Sequence, residues 1–441
     1  MKILFATRPF DGHFNPLTGI AKHLQGLGHD VRWYAGPSYT GRLERLGIPH
    51  YPYRSAPEVN GDNIHEIFPE RKKLKGLKLI RFEFQNVVIA NTGEFFDDVA
   101  AIARDDFPFD ALICDAMFYA YALVEQALGV PVHVVNMAPM MFSSRQTPPN
   151  FAGLTPAKTA LGRFAHRRMR ALMERMTLRD GMPIFRRAFT DRGLTPPDCS
   201  IFDVPLHRAT GVFQSGVPGF AYPRDDLSPR VTFVGPLLPY RQDSGPDIFT
   251  DLLTPGRKVI VISQGTVDNQ DPNKLIAPAL DALRGSNHLL FVGTGGAHTE
   301  ELRRAYPDEN IFIEDFIDFS RLFEHADLYI CNGGYGSVLL SLSKGVPVLS
   351  AGTREGKNDI NAHIRHFGVG VDLRTETPSP SKIREGVDRL LTDQQIRSNV
   401  ARLANEFSRY DPNTAITRVL FYGDNAPPPE TYDEQRLRVG R

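Results

Sequence analysis

The sequence predicts an α/β protein with two domains, each of which contains a doubly wound parallel sheet. The chain has 441 residues, enough for two or three domains. Short apolar runs alternate with helical patterns in both halves, and a stretch rich in Pro, Gly and Asp separates them. We therefore expect an N-terminal domain over residues 1–230, a linker at 231–250, a C-terminal domain at 251–425 and a poorly ordered tail at 426–441.

The predicted strands are continuous apolar runs, which is typical of parallel sheets covered by helices on both faces. In the first half, strands are predicted at 2–7, 30–35, 50–54, 109–114 and 130–136, with helices at 15–28, 38–47, 119–128 and within 161–192. After the linker the alternation restarts, with strands at 258–263, 288–292, 310–313, 327–331 and 346–349.

Composition excludes several classes of protein. The chain has 51 Lys or Arg and 51 Asp or Glu residues, so no overall field attracts it to nucleic acid or to an anionic membrane, and any partner must be recognised locally. Three scattered cysteines fit neither a disulfide framework nor a metal site, which favours the cytoplasm. The apolar stretch 111–124 contains Asp115 and is shorter than the ~20 residues of a transmembrane helix.

The loop after the first strand contains a candidate general base, His13. Gly12 allows a tight turn there, Asn15 can cap the next helix, and Pro16 suits its first position. Asp115 directly follows another strand, so both side chains should lie at the carboxyl edge of one sheet. A carboxylate that orients a neutral imidazole makes a good base for a hydroxyl. The alternative is structural: His13 bonds within its turn and Asp115 caps the helix that follows.

Three glycine-rich loops follow strands in the second half: 263–266, 293–296 and 332–337. Small residues let backbone N–H groups approach an anion at a helix N-terminus, which favours a diphosphate ligand. None of the loops matches the dinucleotide or P-loop pattern. Taken singly, such loops more often only make turns.

These motifs together resemble the family 1 nucleotide-sugar glycosyltransferases. The Gly-His-x-x-Pro turn at 12–16 is followed, in the family's order and spacing, by segments 315–323, 332–337, 344–347 and 361–362. The Asn-Gly-Gly-Tyr-Gly turn and Glu-x-Lys segment look like a bacterial branch that acts on small molecules and natural products. The resemblance implies a GT-B fold, in which two Rossmann-like domains face each other across a cleft. The acceptor is then bound N-terminally and the nucleotide sugar C-terminally.

The resemblance also implies roles for individual residues. His13 corresponds to the catalytic base and Asp115 to its carboxylate partner. A UDP-sugar, or a dTDP-sugar, is the implied co-substrate, and neither a cofactor nor a metal is expected. The implied donor-binding residues are Gly12, Ser263, Gly265, Thr266, Phe316, Ile317, Asn332, Gly334, Gly336 and Ser337, with Glu355, Lys357 and Asn358 against the sugar.

The acceptor is expected to be a small apolar molecule such as a flavonoid, polyketide or terpenoid. Apolar bulk concentrates at predicted pocket walls, although an aromatic and Met-rich core would look the same. The expected function is inverting transfer of a hexose, most simply glucose from UDP-glucose. A nucleotide-sugar 2-epimerase and a non-catalytic nucleotide-sugar-binding helper stay open as alternatives. The candidate acceptor-binding residues are Phe82, Phe118, Met137, Met140 and Phe142.

Overall fold

The structure, a computed structural model, describes residues 1–241, 249–265, 269–354 and 356–422. These residues form two parallel sheets covered by helices, which confirms the predicted fold class. No helix in these ranges combines the length and the apolar character that crossing a bilayer requires. The cysteines Cys114, Cys199 and Cys331 are free thiols.

The first sheet has seven strands in the order β3-β2-β1-β4-β5-β6-β7. Its elements are β1 (Lys2–Ala6), α1 (Asp11–Gly26), β2 (Asp30–Ala35), α2 (Thr40–Leu46), β3 (His50–Pro52), α3 (Ile64–Ile67), α4 (Leu77–Glu83), α5 (Thr92–Asp105), β4 (Ala111–Asp115), α6 (Tyr121–Leu128), β5 (Val132–Asn136), α7 (Ala160–Leu178), α8 (Gly181–Thr190), α9 (Val204–Arg208), β6 (Gly211–Ser215) and β7 (Val231–Gly235).

The second sheet has six strands in the order β10-β9-β8-β11-β12-β13. Its elements are β8 (Val259–Ser263), α10 (Ile276–Leu283), β9 (Leu289–Gly293), α11 (Thr299–Ala305), β10 (Ile311–Glu314), α12 (Phe319–Leu322), β11 (Leu328–Cys331), α13 (Tyr335–Ser343), β12 (Val348–Ser350), α14 (Lys357–Phe367), β13 (Gly370–Asp372), α15 (Pro380–Thr392), α16 (Gln394–Phe407) and α17 (Pro412–Tyr422).

Strand β1 shows why the apolar runs are continuous. Ile3 and Phe5 pack on the side of the sheet that holds α1, whereas Leu4 and Ala6 join the cluster around α5, α6 and α8. All four are fully buried, because successive side chains of a strand point to opposite faces and both faces are covered.

Helix α1 begins earlier than predicted. It starts at Asp11, with Phe10 extended as its N-cap, so the prediction that Asn15 caps the helix is wrong. Pro16 lies inside the helix. Its missing N–H leaves the carbonyl of Gly12 without an intrahelical partner, which water can replace because Gly12 is exposed. Gly12 therefore belongs to a helical turn and not to a tight loop.

The last helix returns to the first sheet. Helix α17 packs on α1 and β7, where Ile416 is buried in the same cluster as Phe14 and Val234. His23 and Thr417 share a hydrogen bond of 3.0 Å. This helix lies within the range expected for the C-terminal domain, but its contacts are with the N-terminal one. The predicted tail at 426–441 and residues 242–248 of the linker lie outside the described residues.

Three strands, β6, β7 and β13, are absent from the sequence prediction, and β7 lies in the stretch predicted as the linker. Strand β6 is fully buried between β5 and β7, yet Gln214 and Ser215 interrupt its apolar run. Strand β13 has three residues, all half-buried. Neither β6 nor β13 therefore has the continuous apolar pattern that identified the predicted strands.

Candidate active site

Strand register brings His13 and Asp115 together. Strands β1 and β4 pair in parallel with Ala6 beside Cys114, so the loop after β1 and Asp115 share the carboxyl edge of the sheet. His13 lies on the first turn of α1, and its Nδ1 atom is 2.9 Å from Oδ1 of Asp115. The predicted contact is present.

The carboxylate of Asp115 is held by backbone groups as well. Its Oδ2 accepts the N–H of Arg8 at 2.7 Å, and its Oδ1 accepts the N–H of Met117 at 2.8 Å. Asp115 is fully buried, whereas the His13 side chain is 27% exposed. The carboxylate thus orients the imidazole and closes a turn, but it does not cap the helix that follows, because the N-cap of α6 is Ala120. The buried carboxylate therefore fixes the Nδ1 atom of the partly exposed imidazole.

Sequence reasoning missed Arg8, a buried cation beside this pair. Its guanidinium donates to the carbonyl of Val87 and lies 4.5 Å from the ring centroid of Phe95. Its Nη1 atom has no hydrogen-bond partner among the described residues. Burial lowers the pKa of Arg8, while the charge of Asp115 acts to raise it. The place of Arg8 in the loop after β1, four residues before Gly12, is the only sequence signal for this residue.

An apolar wall adjoins His13. The ring of Phe10 lies 5.9 Å from the imidazole and packs with Val59, Ile64 and Val87. Phe82, a predicted acceptor residue, is half-buried and makes an edge-to-face contact with Phe68. Phe68 also packs on this cluster.

The other predicted acceptor residues are spread over two sides of the sheet. Phe118 is a fully buried core residue between Tyr34 and Phe95, so it has no exposed surface for an acceptor. Phe142 is buried, and Met140 is half-buried against the same cluster. Met137 packs on the opposite, α1-bearing side.

In the second domain, register again brings two loops together. Strands β8 and β11 pair with Ser263 beside Cys331, so the segments that follow these residues are adjacent. The amide of Asn332 donates to the carbonyl of Gln264. Gly265 has a φ of +85°, and a side chain there would meet that amide at 3.3 Å. Ser263 Oγ accepts the N–H of Gly265 at 3.3 Å.

Helix α13 directs its N-terminus into this region. Gly334 is its N-cap and no side chain caps the helix. The hydroxyl of Ser337 instead bonds back to the carbonyl of Gly334 at 3.0 Å. Gly336 is exposed, with open space where a side chain would be. The N–H groups of the first turn have no intrahelical partners, and such an end binds phosphate.

A flat aromatic surface lies beside these loops. Phe316 is 75% exposed, and its ring edge lies 3.6 Å from the place of a Cβ on Gly296, whose φ is +85°. The neighbouring Ile317 is buried, and its carbonyl accepts the N–H of Phe319 at 3.0 Å. Two further predicted donor residues, Thr266 and Glu355, lie outside the described residues.

The segment predicted to hold the sugar also joins the two domains. The amide of Asn358 donates to the carbonyl of Phe151 at 2.7 Å. The carboxylate of Asp359 accepts the N–H groups of Phe151 and Gly153, the latter at 2.7 Å. Burial raises the pKa of Asp359 to about 6. Lys357, the first residue of α14, is buried and lies 3.3 Å from the place of a Cβ on Gly352.

A second bridge between the domains starts on α13. The hydroxyl of Tyr335 donates to the carbonyl of Ser215 at 3.1 Å, and it would lie 2.9 Å from a Cβ on Gly216. Tyr335 is thus a packing residue at the N-terminus of the predicted phosphate-binding helix. Within the described ranges, no three His, Cys, Asp or Glu side chains are arranged to hold a metal ion.

Comparison with known proteins identifies the family. Residues 286–420 match a family described as erythromycin biosynthesis protein CIII-like, C-terminal domain. Over 423 residues the chain is 33% identical to 4'-demethylrebeccamycin synthase of Lentzea aerocolonigenes, covering 93% of this chain and 96% of that relative. This chain belongs to the family 1 glycosyltransferases.

Other members confirm the fold of this glycosyltransferase. Over 436 residues this chain is 25% identical to UDP-glycosyltransferase 2 of Phaeomoniella chlamydospora, and the aligned part covers 94% of each chain. The solved structure of a calicheamicin glycosyltransferase superimposes with a TM-score of 0.73 at 18% identity, covering 97% of this chain and 99% of that one. The two-domain GT-B fold predicted from the motifs is therefore confirmed.

Proposed function

We propose that this glycosyltransferase is an inverting hexosyltransferase that moves glucose from UDP-glucose to a hydroxyl of a small apolar acceptor such as a flavonoid, polyketide or terpenoid. The observation that carries the proposal is the 2.9 Å contact between His13 Nδ1 and Asp115 Oδ1. It supplies one oriented base at the edge of the first sheet, and an inverting displacement needs only one.

In the proposed reaction His13 is the general base. With Asp115 ionised, Nδ1 carries the imidazole proton and Nε2 keeps a lone pair. Nε2 takes the proton of the acceptor hydroxyl while its oxygen attacks the anomeric carbon. The bond from that carbon to the diphosphate oxygen breaks, and its electron pair leaves with UDP. Asp115 stabilises the imidazolium that forms.

The leaving diphosphate needs positive charge, and the N-terminus of α13 supplies it. Its free N–H groups and helix dipole favour developing negative charge without a cation. We therefore propose that the reaction is metal-independent. Ser263, Gly265 and Asn332 complete the phosphate loop, and the exposed ring of Phe316 stacks on the uracil base.

The acceptor surface supports an apolar substrate. Phe10, Val87 and Phe68 form an apolar cluster next to His13, and Phe82 contacts it. Such walls bind an aglycone through buried area and leave its hydroxyl to the polar end of the site. The UDP-glycosyltransferase name of the 25% identical relative supports uridine as the nucleoside.

The test is product analysis with pure protein. UDP-glucose, dTDP-glucose and UDP-galactose are each incubated with flavonoid, polyketide and terpenoid alcohols, with and without a chelator. We expect a β-glucoside from α-linked UDP-glucose, formed equally in chelator. Retention of the α-configuration would contradict inversion, and loss of activity in chelator that magnesium restores would contradict metal independence.

The same assay separates the alternatives. Interconversion of the sugar without any acceptor would identify a 2-epimerase. Tight binding of a nucleotide sugar without turnover on any acceptor would favour a helper protein. Conversion of a highly charged acceptor in preference to all apolar ones would contradict the proposed acceptor class.

A further inference from the structure

Helix α7 exposes an unusual number of apolar side chains. Of eleven large hydrophobic residues that are exposed among the described ranges, five lie on this one helix. Because their spacing keeps to the helical period, they form a stripe along one side. The stripe consists of Leu161 (78% exposed), Phe164 (51%), Met169 (40%), Leu172 (58%) and Met176 (46%).

Basic side chains are concentrated on α7 itself and on the segment that leads into the adjoining helix α4. Residues 71–81 and 158–179 together contain thirteen Lys or Arg and a single acid, Glu174, in a chain of zero net charge. Glu174 is half-buried and bonded to Ser200. The exposed cations are Lys72, Lys73, Lys75, Lys78, Lys158, Arg163, Arg167, Arg168, Arg175 and Arg179.

We call the stripe together with these exposed cations the basic-apolar face. Helix α4 packs on α7, and Arg81 of α4 pairs with Asp180 just beyond the end of α7. The inner side of α7 is firmly anchored, since the buried Arg170 donates to the carbonyls of Ser144, Thr147 and Pro148. The outward stripe is therefore fixed in place by the fold.

We propose that the basic-apolar face docks this protein on an anionic phospholipid bilayer, with α7 lying in the plane of the interface. A helix that combines a large apolar side with a strongly basic one binds in that way. Arg and Lys stems can extend past the apolar stripe and place their charges among lipid phosphates. A nucleic acid would pair the cations but leave the five apolar side chains in water. This proposal is independent of the acceptor and of the reaction.

The test is flotation of the full-length protein with lipid vesicles. We expect binding to vesicles of phosphatidylglycerol and phosphatidylcholine, and none to phosphatidylcholine alone. Each cation beside an anionic bilayer strengthens binding by about fivefold, so the double variant Arg167→Glu, Arg168→Glu should weaken binding by more than about 25-fold. Leu172→Gln should weaken it by about three- to tenfold, because part of a leucine side chain no longer inserts.

Matched controls lie elsewhere on the surface. Leu27→Gln removes a comparably exposed leucine after α1, and Lys382→Glu reverses an exposed charge on α15. Both should bind vesicles as the parent does. Circular dichroism and glycosyl transfer in solution should be unchanged in all four variants, because none of these residues touches the candidate active site.

Three outcomes would overturn the proposal. The first is a failure of the parent protein to float with anionic vesicles at low salt. The second is binding to duplex DNA as tight as to vesicles at equal phosphate, with neither affected by Leu172→Gln, which would indicate a site for polyanions. The third is a dimer that Leu172→Gln dissociates, which would assign the stripe to contact between copies of this chain.

Discussion

The His13–Asp115 pair and the segment at 357–359 follow from the same rule, that side chains beyond the carboxyl ends of parallel strands meet. The two regions differ in where their hydrogen-bond partners lie. Asp115 accepts only from groups of its own domain, His13, Arg8 and Met117. Asn358 and Asp359 instead hold Phe151 and Gly153 of the opposite domain. A site inside one sheet follows from strand register, whereas a site between domains depends on how the domains dock.

The largest expected effect is on the first region. His13→Ala should lower turnover by about 10²–10⁴-fold, the usual contribution of a positioned general base. UDP-glucose affinity should change little, because all the predicted donor-binding residues except Gly12 belong to the second domain. Steady-state kinetics and calorimetry on the same preparation separate the two quantities. Turnover close to that of the parent would remove His13 from the mechanism.

The second prediction concerns the region between the domains. Asn358→Ala removes one predicted hydrogen-bonding partner of the sugar, and the loss of such a partner costs about 1–3 kcal/mol. It should weaken UDP-glucose binding, while free UDP binding stays within about twofold. Lys357→Ala should do the same, since an ammonium group supplies only donors to sugar hydroxyls. Calorimetry with both ligands decides this.

Equal losses for UDP-glucose and UDP would instead show that Asn358 acts through the contact with Phe151. Gly153→Ala is a useful comparison, because its added methyl group would lie 3.2 Å from Cβ of Asn358. That variant keeps the Asn358 amide group but disturbs the domain contact, since the methyl group would also lie 3.3 Å from the amide nitrogen. A matching loss in Gly153→Ala would assign the effect to domain docking.

The third prediction is a pH dependence at the same contact. Burial raises the pKa of Asp359 to about 6, whereas an unfolded aspartate titrates at about 3.9. Between these values the folded chain binds more protons than the unfolded one, so this group adds stability as pH falls from 7 to 4, by about 2 kcal/mol. This contribution of residue 359 to the pH dependence of stability should be absent in Asp359→Asn.

The comparison between variants matters because other groups act in the opposite direction. Burial lowers the pKa of His133 and of His363 to about 4, so both histidines reduce stability as pH falls. They are common to the parent and to Asp359→Asn. Denaturant unfolding at several pH values therefore isolates Asp359 in the difference, and parallel curves for the two proteins would show that its carboxyl is not buried in solution.

The smallest expected effect is on the nucleobase. Phe316→Ala should raise the dissociation constant of UDP by roughly fivefold, because an aromatic stack contributes on the order of 1 kcal/mol. The loss should be equal for UDP and UDP-glucose, unlike that of Asn358→Ala. Unchanged UDP affinity would show that the exposed ring does not contact uracil.

Much of the fold could be predicted because long apolar runs determine buried strands. The contact of His13 with Asp115 followed from two such strands being in one sheet. The start of α1 could not be predicted, because a proline such as Pro16 is typical of the first helical position. Pro16 is acceptable inside the helix because Gly12, whose carbonyl loses its helical partner, is exposed. Phe118 was assigned to the acceptor site because composition does not distinguish a pocket wall from a core.

Residues that act through contacts with distant parts of the chain could not be predicted from the sequence either. The Phe151–Gly153 segment has no motif, yet it supplies the backbone groups that Asp359 accepts. The return of α17 to the first sheet depends on a surface formed by α1 and β7, far away in the chain. Arg8 lies four residues before the recognised turn, but nothing in its neighbours indicates a buried guanidinium.

In the proposed mechanism Asp115 acts through His13. The most direct measurement is a double-mutant cycle of turnover with UDP-glucose and one good acceptor, using His13→Ala, Asp115→Asn and the double variant. We expect Asp115→Asn to slow the parent by about 10²–10⁴-fold but to leave the His13→Ala background unchanged, since the carboxylate then has no imidazole to orient. If the double variant loses as much turnover as the two single substitutions predict together, Asp115 does not act through His13.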